Sequence, residues 1–571
     1  MTIPFVRGDT IAIAIAAGVG ATLVSDAGVT SEFDEITMVD ALIGIEQTIS
    51  PRWVWWSADT ARTLGAVGLR PARCWDLEAV HRLLVGGWRG GAGRIWAHHR
   101  GLDTAELPQV AAPDLFSLPA DDDHVEAVRP DGHLDPAWIE ELWRADLDHL
   151  RTWTSLALDV HRWQIDELER LPTPAASNTA RSESAAALLC AELEADGLPV
   201  DVAEAERIIS SFIGSRPIDA ADEAQLAAER DRLVLRHVAG SLGDFDLRNP
   251  AGVKSLLRRV GIEVPDTRAW RLERLRDEHE IVDALLTWRK AERIATTFGF
   301  RWLDQNVGPD GRLRGQWSPS DGAAGRMTAT AGLHNMPAEL RPAIVAEPDH
   351  VFVRADLGQI EPRILAAVSN DEALAAATWD DDMYAPVAAR LGVTRDIAKV
   401  AVLGAMYGQT TGHGAVALRG LESAYPIAMT YLATAARAAE GGNDLRTRGG
   451  RLIRMSSNEP DAEPDDASQR ADRSRAAARG RYGRNAMVQG AAAEFFKTWA
   501  AIVRAHCAPI DAGIVLCLHD ELLVHCRADC SDVTAQIVAD GVREASHRWS
   551  GDNRVSFVAH TSVITRWSDA K

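Results

Sequence analysis

Two apolar, strand-like runs that each finish in acid govern what this chain can become. The first is Val351-Phe352-Val353-Arg354-Ala355-Asp356, continuing into Leu357-Gly358-Gln359-Ile360-Glu361. The second is Ile514-Val515-Leu516-Cys517-Leu518-His519-Asp520-Glu521, continuing into Leu522-Leu523-Val524-His525. Laid side by side in a sheet, such strands bring Asp356 to Asp520. Carboxylates that close repel each other unless cations sit between them. Hard, oxygen-seeking cations such as Mg²⁺ fill that position and usually bring phosphates with them. The pattern points to two-metal phosphoryl chemistry.

At 571 residues the chain is too long for one core, so two or more domains are expected. Its net charge of −21 excludes a protein that coats nucleic acid with uniform positive charge, but not a basic channel on an acidic body. The six cysteines form no paired CxxC motif, which fits reduced thiols in a cytosol. His525, Cys526 and Cys530 lack a second ligand pair for zinc and read as a strand end and turn. No run of about 20 apolar residues exists to span a membrane. The apolar stretch 11–24 has Asp9 and Arg7 ahead of it and Gly18 and Gly20 inside it. A β-hairpin fits it better than a signal peptide.

Short β runs alternate with helices through the first 170 residues, with a strand at 53–56 and helices at 58–64 and 77–84. The Pro/Ser/Thr/Asn-bearing stretch 171–179 reads as a linker. Helical spacing then dominates: 186–196, 219–242, 280–297, 373–377, 383–390 and 394–407, the last with Thr394 as N-cap and Gly408 as its stop. Residues 311–317 read as a strand. An acidic segment, 459–466, precedes a basic run of Arg470, Arg473, Arg475, Arg479, Arg481 and Arg484.

Along 394–407, Arg395, Lys399, Leu403 and Tyr407 recur every four residues and share one helix face. Two cations one turn apart suit a triphosphate, and an apolar group with a ring beyond them suits a base and sugar. Taken alone, the same stripe also fits a charged edge over a core tyrosine. Arg481, Asn485 and Gln489 repeat the spacing and could bond phosphate, sugar and minor-groove acceptors, or simply face solvent. Arg326, in a Gly/Thr-rich loop, is by itself a weak signal for DNA backbone.

In their order these segments resemble family A DNA polymerases of the bacterial DNA polymerase I type, over roughly residues 183–571. Asp356-Leu357-Gly358-Gln359-Ile360-Glu361-Pro362-Arg363 is similar to the family's D-Y-S-Q-I-E-L-R. Arg395, Lys399, Leu403, Gly404, Tyr407 and Gly408 follow its R-x-x-x-K-x-x-x-F/Y-G-x-x-Y-G helix. Leu518-His519-Asp520-Glu521 follows V-H-D-E. Gly325-Arg326, Leu333-His334-Asn335-Met336-Pro337, and Arg481, Asn485, Gln489, Gly490 and Glu494 match three further elements.

The resemblance implies an α/β multidomain, right-hand fold: thumb 184–310, palm 311–371 and 485–571, fingers 372–484. An RNase H-like exonuclease-type domain would occupy 1–170, with 171–183 as linker. It implies a DNA-templated DNA polymerase, a nucleotidyltransferase of replication or repair, monomeric, cytoplasmic and nucleoid-associated. Its partners would be primer–template DNA and dNTPs. Asp356, Asp520 and Lys399 would be catalytic. Asp356 and Asp520, supported by Glu521, would hold two Mg²⁺ ions, with Mn²⁺ as the alternative. Gln359, Glu361, Arg395, Lys399, Leu403 and Tyr407 would bind the nucleotide, and Arg326, Asn335, Arg481, Asn485, Gln489 and His519 the DNA. Leu403 stands where the family has an aromatic residue. Pro362 replaces Leu and cannot donate a backbone hydrogen bond, so the chain after Glu361 is expected to run differently.

The first strand lacks the D-x-E pair of a proofreading site, and no tyrosine precedes Tyr384. The exonuclease-type domain is therefore expected to be degenerate. A two-metal nuclease is the main alternative function, although it would not need the Arg395/Lys399 grip. A catalytically weak DNA-binding or repair scaffold is the other.

Overall fold

A computed structural model describes residues 4–109, 126–141, 146–238, 245–408, 414–455 and 466–570. The chain divides into two compact units, one of residues 1–196, 316–329 and 351–563, the other of 197–315, 330–350 and 564–571.

The first unit holds two sheets. The N-terminal one comprises β1 (Thr10–Ala16), β2 (Gly20–Ser25), β3 (Thr30–Asp34), β4 (Arg52–Trp55) and β5 (Cys74–Asp76), in the order β3-β2-β1-β4-β5. β1 to β3 form an antiparallel meander, and β4 and β5 add in parallel. The expected hairpin is present. A Cβ on Gly20 would lie 2.0 Å from the Phe33 carbonyl oxygen, so only glycine fits there. Along β1, Ile11, Ile13 and Ile15 join the core around Trp53 and Trp55 on one face. Ala12, Ala14 and Ala16 join Trp56, Trp75 and Trp153 on the other. Small residues at alternate positions make room for the indoles, each of which buries a large apolar area.

Asp76, buried at the end of β5, accepts from Trp55 Nε1 at 2.9 Å and from the Ala79 amide at 2.8 Å. Burial pushes its carboxyl up to about 7. His81 lies in the same region, its Nε2 2.9 Å from His98 Nδ1. Burial drives it down to about 3. The folded chain therefore keeps His81 neutral where the unfolded chain, titrating near 6.5, binds a proton. Stability tied to His81 is complete above about pH 6.5 and falls as pH drops toward 3. Chemical denaturation should show about 2 kcal/mol lost to this group between pH 7 and 5, and His81→Asn should flatten that slope.

The stretch 171–183 is not a linker beyond its first residues. A helix begins at Ala176 and runs unbroken to Asp196. Its Ser, Thr and Ala residues are small side chains at a close-packed joint rather than signs of a solvated tether. Ser184 Oγ accepts from the Asp76 amide at 3.0 Å. On the other side, Glu183 pairs with Arg451 and Lys497, each at 2.7 Å, and all three are at most 2% exposed. A buried carboxylate is tolerated only with such partners.

The second sheet comprises β6 (His350–Leu357), β7 (Gly513–Leu518), β8 (Glu521–Arg527) and β9 (Ala559–Ile564), in the order β7-β8-β6-β9. Packed near it is a long helix, Asp466–Cys507, that takes in the expected basic run. The acidic segment before it lies, apart from Asp466, outside the described residues.

The second unit is mainly helical. Val202–Ile213, Ala220–Leu235, Pro250–Arg259 and Glu280–Thr297 surround a core that includes Val234, Leu256, Leu257 and Leu285. The helix expected over 219–242 stops at Leu235, and Leu242 is outside the described residues. This unit begins at 197, not 184, and takes in 330–350 and 564–571, which the sequence reading assigned to the palm.

Candidate active site

β6 lies beside β8; the run 514–525, read from sequence as one strand, is the hairpin β7–β8 with Asp520 in its turn. Arg354 and Asp356 alternate with buried Val353, Ala355 and Leu357 along β6, so both project from its more open face. A two-residue turn, His519-Asp520, links β7 to β8, with Leu518 paired to Glu521. His519 takes the left-handed region at φ 54°, which costs a non-glycine residue about 1 kcal/mol. The Leu357 amide donates to the Asp520 carbonyl at 2.9 Å, locking the turn against the end of β6.

The electrostatics register the meeting. Asp520 is pushed up to about 6 by burial, then by the negative charge of Asp356. Asp356 is also raised, mainly by burial, with Arg354 opposing. Carboxylates held ionised at such cost are oxygen donors that a divalent cation would satisfy, so the donor set fits one. Glu521 is the first residue of β8, next to Asp520. It is 7% exposed and accepts from Arg354 Nη2 at 2.9 Å, while the same nitrogen lies 3.4 Å from Asp356 Oδ2. Glu521 thus spends its charge on an arginine.

The segment after β6 is a helix, Ile360–Ser369, preceded by Gln359 in the left-handed region at φ 53°. Gln359 uses its side chain elsewhere: Nε2 donates to Asp382 Oδ1 at 2.7 Å, and Oε1 accepts from the Met383 amide at 2.9 Å. Pro362 is the third residue of that helix, where amides have no intrahelical acceptor, so the helix runs on undisturbed. Arg363 is fully buried and donates only to backbone carbonyls, those of Gly358, Thr378, Asp380, Asp381 and Ser556. Gly358 lies close to two side chains: a Cβ there would come within 2.9 Å of His560 and Val558, which would have to shift.

The cationic helix spans Arg395–Tyr407 and ends at Gly408 in the left-handed region, as its stop residue implied. Thr394 occupies the N-cap, but its side chain makes no capping bond. Arg395 pairs with Asp382, and its guanidinium lies 5.7 Å from the Tyr384 ring centre. Lys399 is exposed. At the helix end, Tyr407 donates to Glu361 Oε2 at 3.0 Å, while Arg326 donates to Glu361 Oε1 at 2.6 Å. Arg481 packs over Gly408, and Gln489 bonds Tyr407. Asn485 Oδ1, on the same stripe of the long helix, is buried without a hydrogen-bond partner.

A cavity of about 190 Å³ is lined by Arg326, Gln359, Glu361, Leu403, His519 and Asp520, among others. Most of the expected site residues therefore meet within the first unit. Asn335 belongs to the second, exposed in a short helical turn, Leu333–Asn335, where its carbonyl accepts from Arg293. Sequence reasoning missed Arg354 and Asp382. Arg354 was legible, since it stands two residues before Asp356 and strand periodicity puts both on one face. Asp382 was not, because it lies in an aperiodic Asp380-Asp381-Asp382 run whose partners come from elsewhere.

The family model described as DNA polymerase family A matches residues 246–569. DNA polymerase I of Chloroflexus aurantiacus is 30% identical over 303 residues, covering 47% of this chain and 31% of that protein. DNA polymerase I of Pseudomonas aeruginosa is 25% identical over 369 residues, 57% of this chain and 39% of the relative. DNA polymerase theta of Caenorhabditis elegans is 24% identical over 368 residues, 58% and 21% respectively. The matched stretch thus spans well under half of each relative. Among solved structures, the POL domain of Pol1 from M. smegmatis, in complex with DNA primer-template and dNTP, superposes with a TM-score of 0.67. At 20% identity it covers 99% of this chain and 96% of that one, a likeness of fold. No helix among the described residues is long and apolar enough to cross a membrane.

Proposed function

Because the chain belongs to DNA polymerase family A, we propose that it extends a primer 3′-OH with deoxynucleotides on a DNA template. The observation that carries this reading is the convergence of Asp356 and Asp520 on adjoining strand ends, beside a cavity that Leu403 of the cationic helix also lines. Asp356 and Asp520 would hold the divalent ions, two Mg²⁺ or Mn²⁺, which when bound acidify an attacking hydroxyl and offset charge on the leaving phosphates.

The remaining work falls to the chain's own groups. Lys399 meets the triphosphate as a point charge, and Arg395 joins it by exchanging Asp382 for phosphate. Gln359, tied to the same Asp382, keeps that end of the nucleotide pocket in register. Glu361, clamped between Arg326 and Tyr407, stands against a 2′-OH. Leu403 and Tyr407 border base and sugar. Arg481, Asn485, Gln489, Arg326 and His519 take the primer–template, and Asn335 is assigned the same partner by its motif alone.

In this reading the second unit is the thumb, while the first holds palm, fingers and an exonuclease-type domain without a proofreading site. β1 carries no acid, and Asp76 is consumed as a helix cap. A mismatched 3′ end should stay untrimmed in Mg²⁺; its removal would overturn that part.

Extension of a primed template with Mg²⁺ and the four dNTPs tests the whole, and a folded, DNA-bound protein that adds none would refute it. Lys399→Ala should raise the KM for dNTP by about tenfold to a hundredfold, the worth of one charge-assisted contact. An unchanged KM would remove Lys399 from the nucleotide site.

A further inference from the structure

We propose that Arg354 is a built-in counter-ion of the carboxylate centre that withholds Glu521 from the metals and sets how tightly the centre takes a divalent cation. The inference rests on the metal-site reading above. Its ground is the geometry of one guanidinium. Nη2 is 2.9 Å from Glu521 Oε2 and 3.4 Å from Asp356 Oδ2. Nε is buried with no hydrogen-bond partner, so the group is not anchored from behind by a competing acceptor at that atom. Arg354 is 16% exposed in its side chain and Glu521 7%, against 35% for Asp356.

Asp356 and Glu521 therefore share one guanidinium, whose charge is also felt at Asp520. A well-buried, charge-assisted arginine–carboxylate bond is among the stronger polar contacts a protein makes. Glu521 cannot turn to a metal without leaving Arg354 only its longer contact with Asp356, and breaking the shorter, more buried bond is costly. Asp356 differs: at 3.4 Å and more exposed, it retains lone pairs for a cation. The centre is thus left with Asp356 and Asp520 as its donors, next to a positive charge that opposes an incoming dication. A lower affinity for the free ion follows, so loading comes to depend on phosphate oxygens arriving with the nucleotide.

Mn²⁺ binding to the full chain without DNA or nucleotide, followed by electron paramagnetic resonance of the free ion, tests this. Arg354→Gln, neutral and of similar reach, should tighten binding by at least about tenfold. Adding Glu521→Gln should remove most of that gain, because the freed carboxylate is its source. Unchanged or weaker binding by a folded Arg354→Gln protein would overturn the proposal. So would a double variant that keeps the full gain, since Glu521 would then not be the ligand withheld. If Arg354→Gln does not fold, Arg354→Ala carries the same comparison. Asp520→Ala separates the two readings. If it leaves Mn²⁺ binding untouched, the metal centre itself is misassigned. If it abolishes binding while Arg354→Gln has no effect, only the role of Arg354 fails.

Discussion

Primer extension by an Asp520→Ala variant should fall by about a thousandfold or more, a barrier increase of about 4 kcal/mol. No neighbour can take its place: Glu521 is engaged by Arg354, and Glu361 by Arg326 and Tyr407. The same substitution should make the protein more stable. Burial and the charge of Asp356 push the Asp520 carboxyl up to about 6 in the fold, against about 3.9 for a free aspartate. A raised carboxyl pKa means that the folded chain holds its proton more tightly than the unfolded one. Stability tied to it is therefore lost as pH rises from about 4 through 6, and at neutral pH the full penalty of a buried, repelled carboxylate applies. Removing it should return about 1 to 3 kcal/mol. Single-turnover extension and denaturant unfolding at pH 7.5 read the two effects. An equally active Asp520→Ala enzyme would reject the catalytic assignment. A destabilised one would show that the turn needs the side chain for its shape.

Arg363→Ala should cost the first unit about 3 to 5 kcal/mol. The side chain is fully buried, and its guanidinium collects five carbonyls from three stretches of chain: Gly358, the run Thr378 to Asp381, and Ser556. Truncation takes their shared donor from those oxygens, of which the Thr378 carbonyl is the most buried, as well as opening a cavity. Lysine should rescue little, because one ammonium cannot reach acceptors arrayed around a planar fork. The run that Arg363 fixes leads into Asp382, the partner of both Gln359 and Arg395. Nucleotide affinity should fall with stability, even though Arg363 faces no substrate in the proposed site. Thermal unfolding and the KM for dNTP measure the pair. A stability loss under about 1 kcal/mol would mean that water replaces the guanidinium.

How far the sequence disclosed this arrangement depended on whether a residue's job was local. The strands under Asp356 and Asp520, the helix Arg395–Tyr407 and its glycine stop were legible because periodicity and capping act over a few residues. So was the N-terminal hairpin. The stretch 171–183 was misread because Ser, Thr and Ala mark both flexible chain and tightly packed helix, and only the neighbours decide between them. Pro362 looked disruptive until its place in a helical first turn was known. Apart from the Arg363 bond to Gly358, Asp382, Gly358 and Arg363 matter through partners from 13 to about 200 positions away in the chain, distances over which strand and helix spacing carry no signal.

The helix Ala176–Asp196 has a consequence for the chain's history. One flank sits against the Asp76 strand end through Ser184, and the other holds the charged trio Glu183, Arg451 and Lys497. Shared masonry of this kind resists demolition from either side. Deleting the first 175 residues would strip apolar cover from Leu188 and Ala191, which lie in the core built around Trp53 and Trp55. The N-terminal section can thus be kept by selection as a buttress for the helix packed against it.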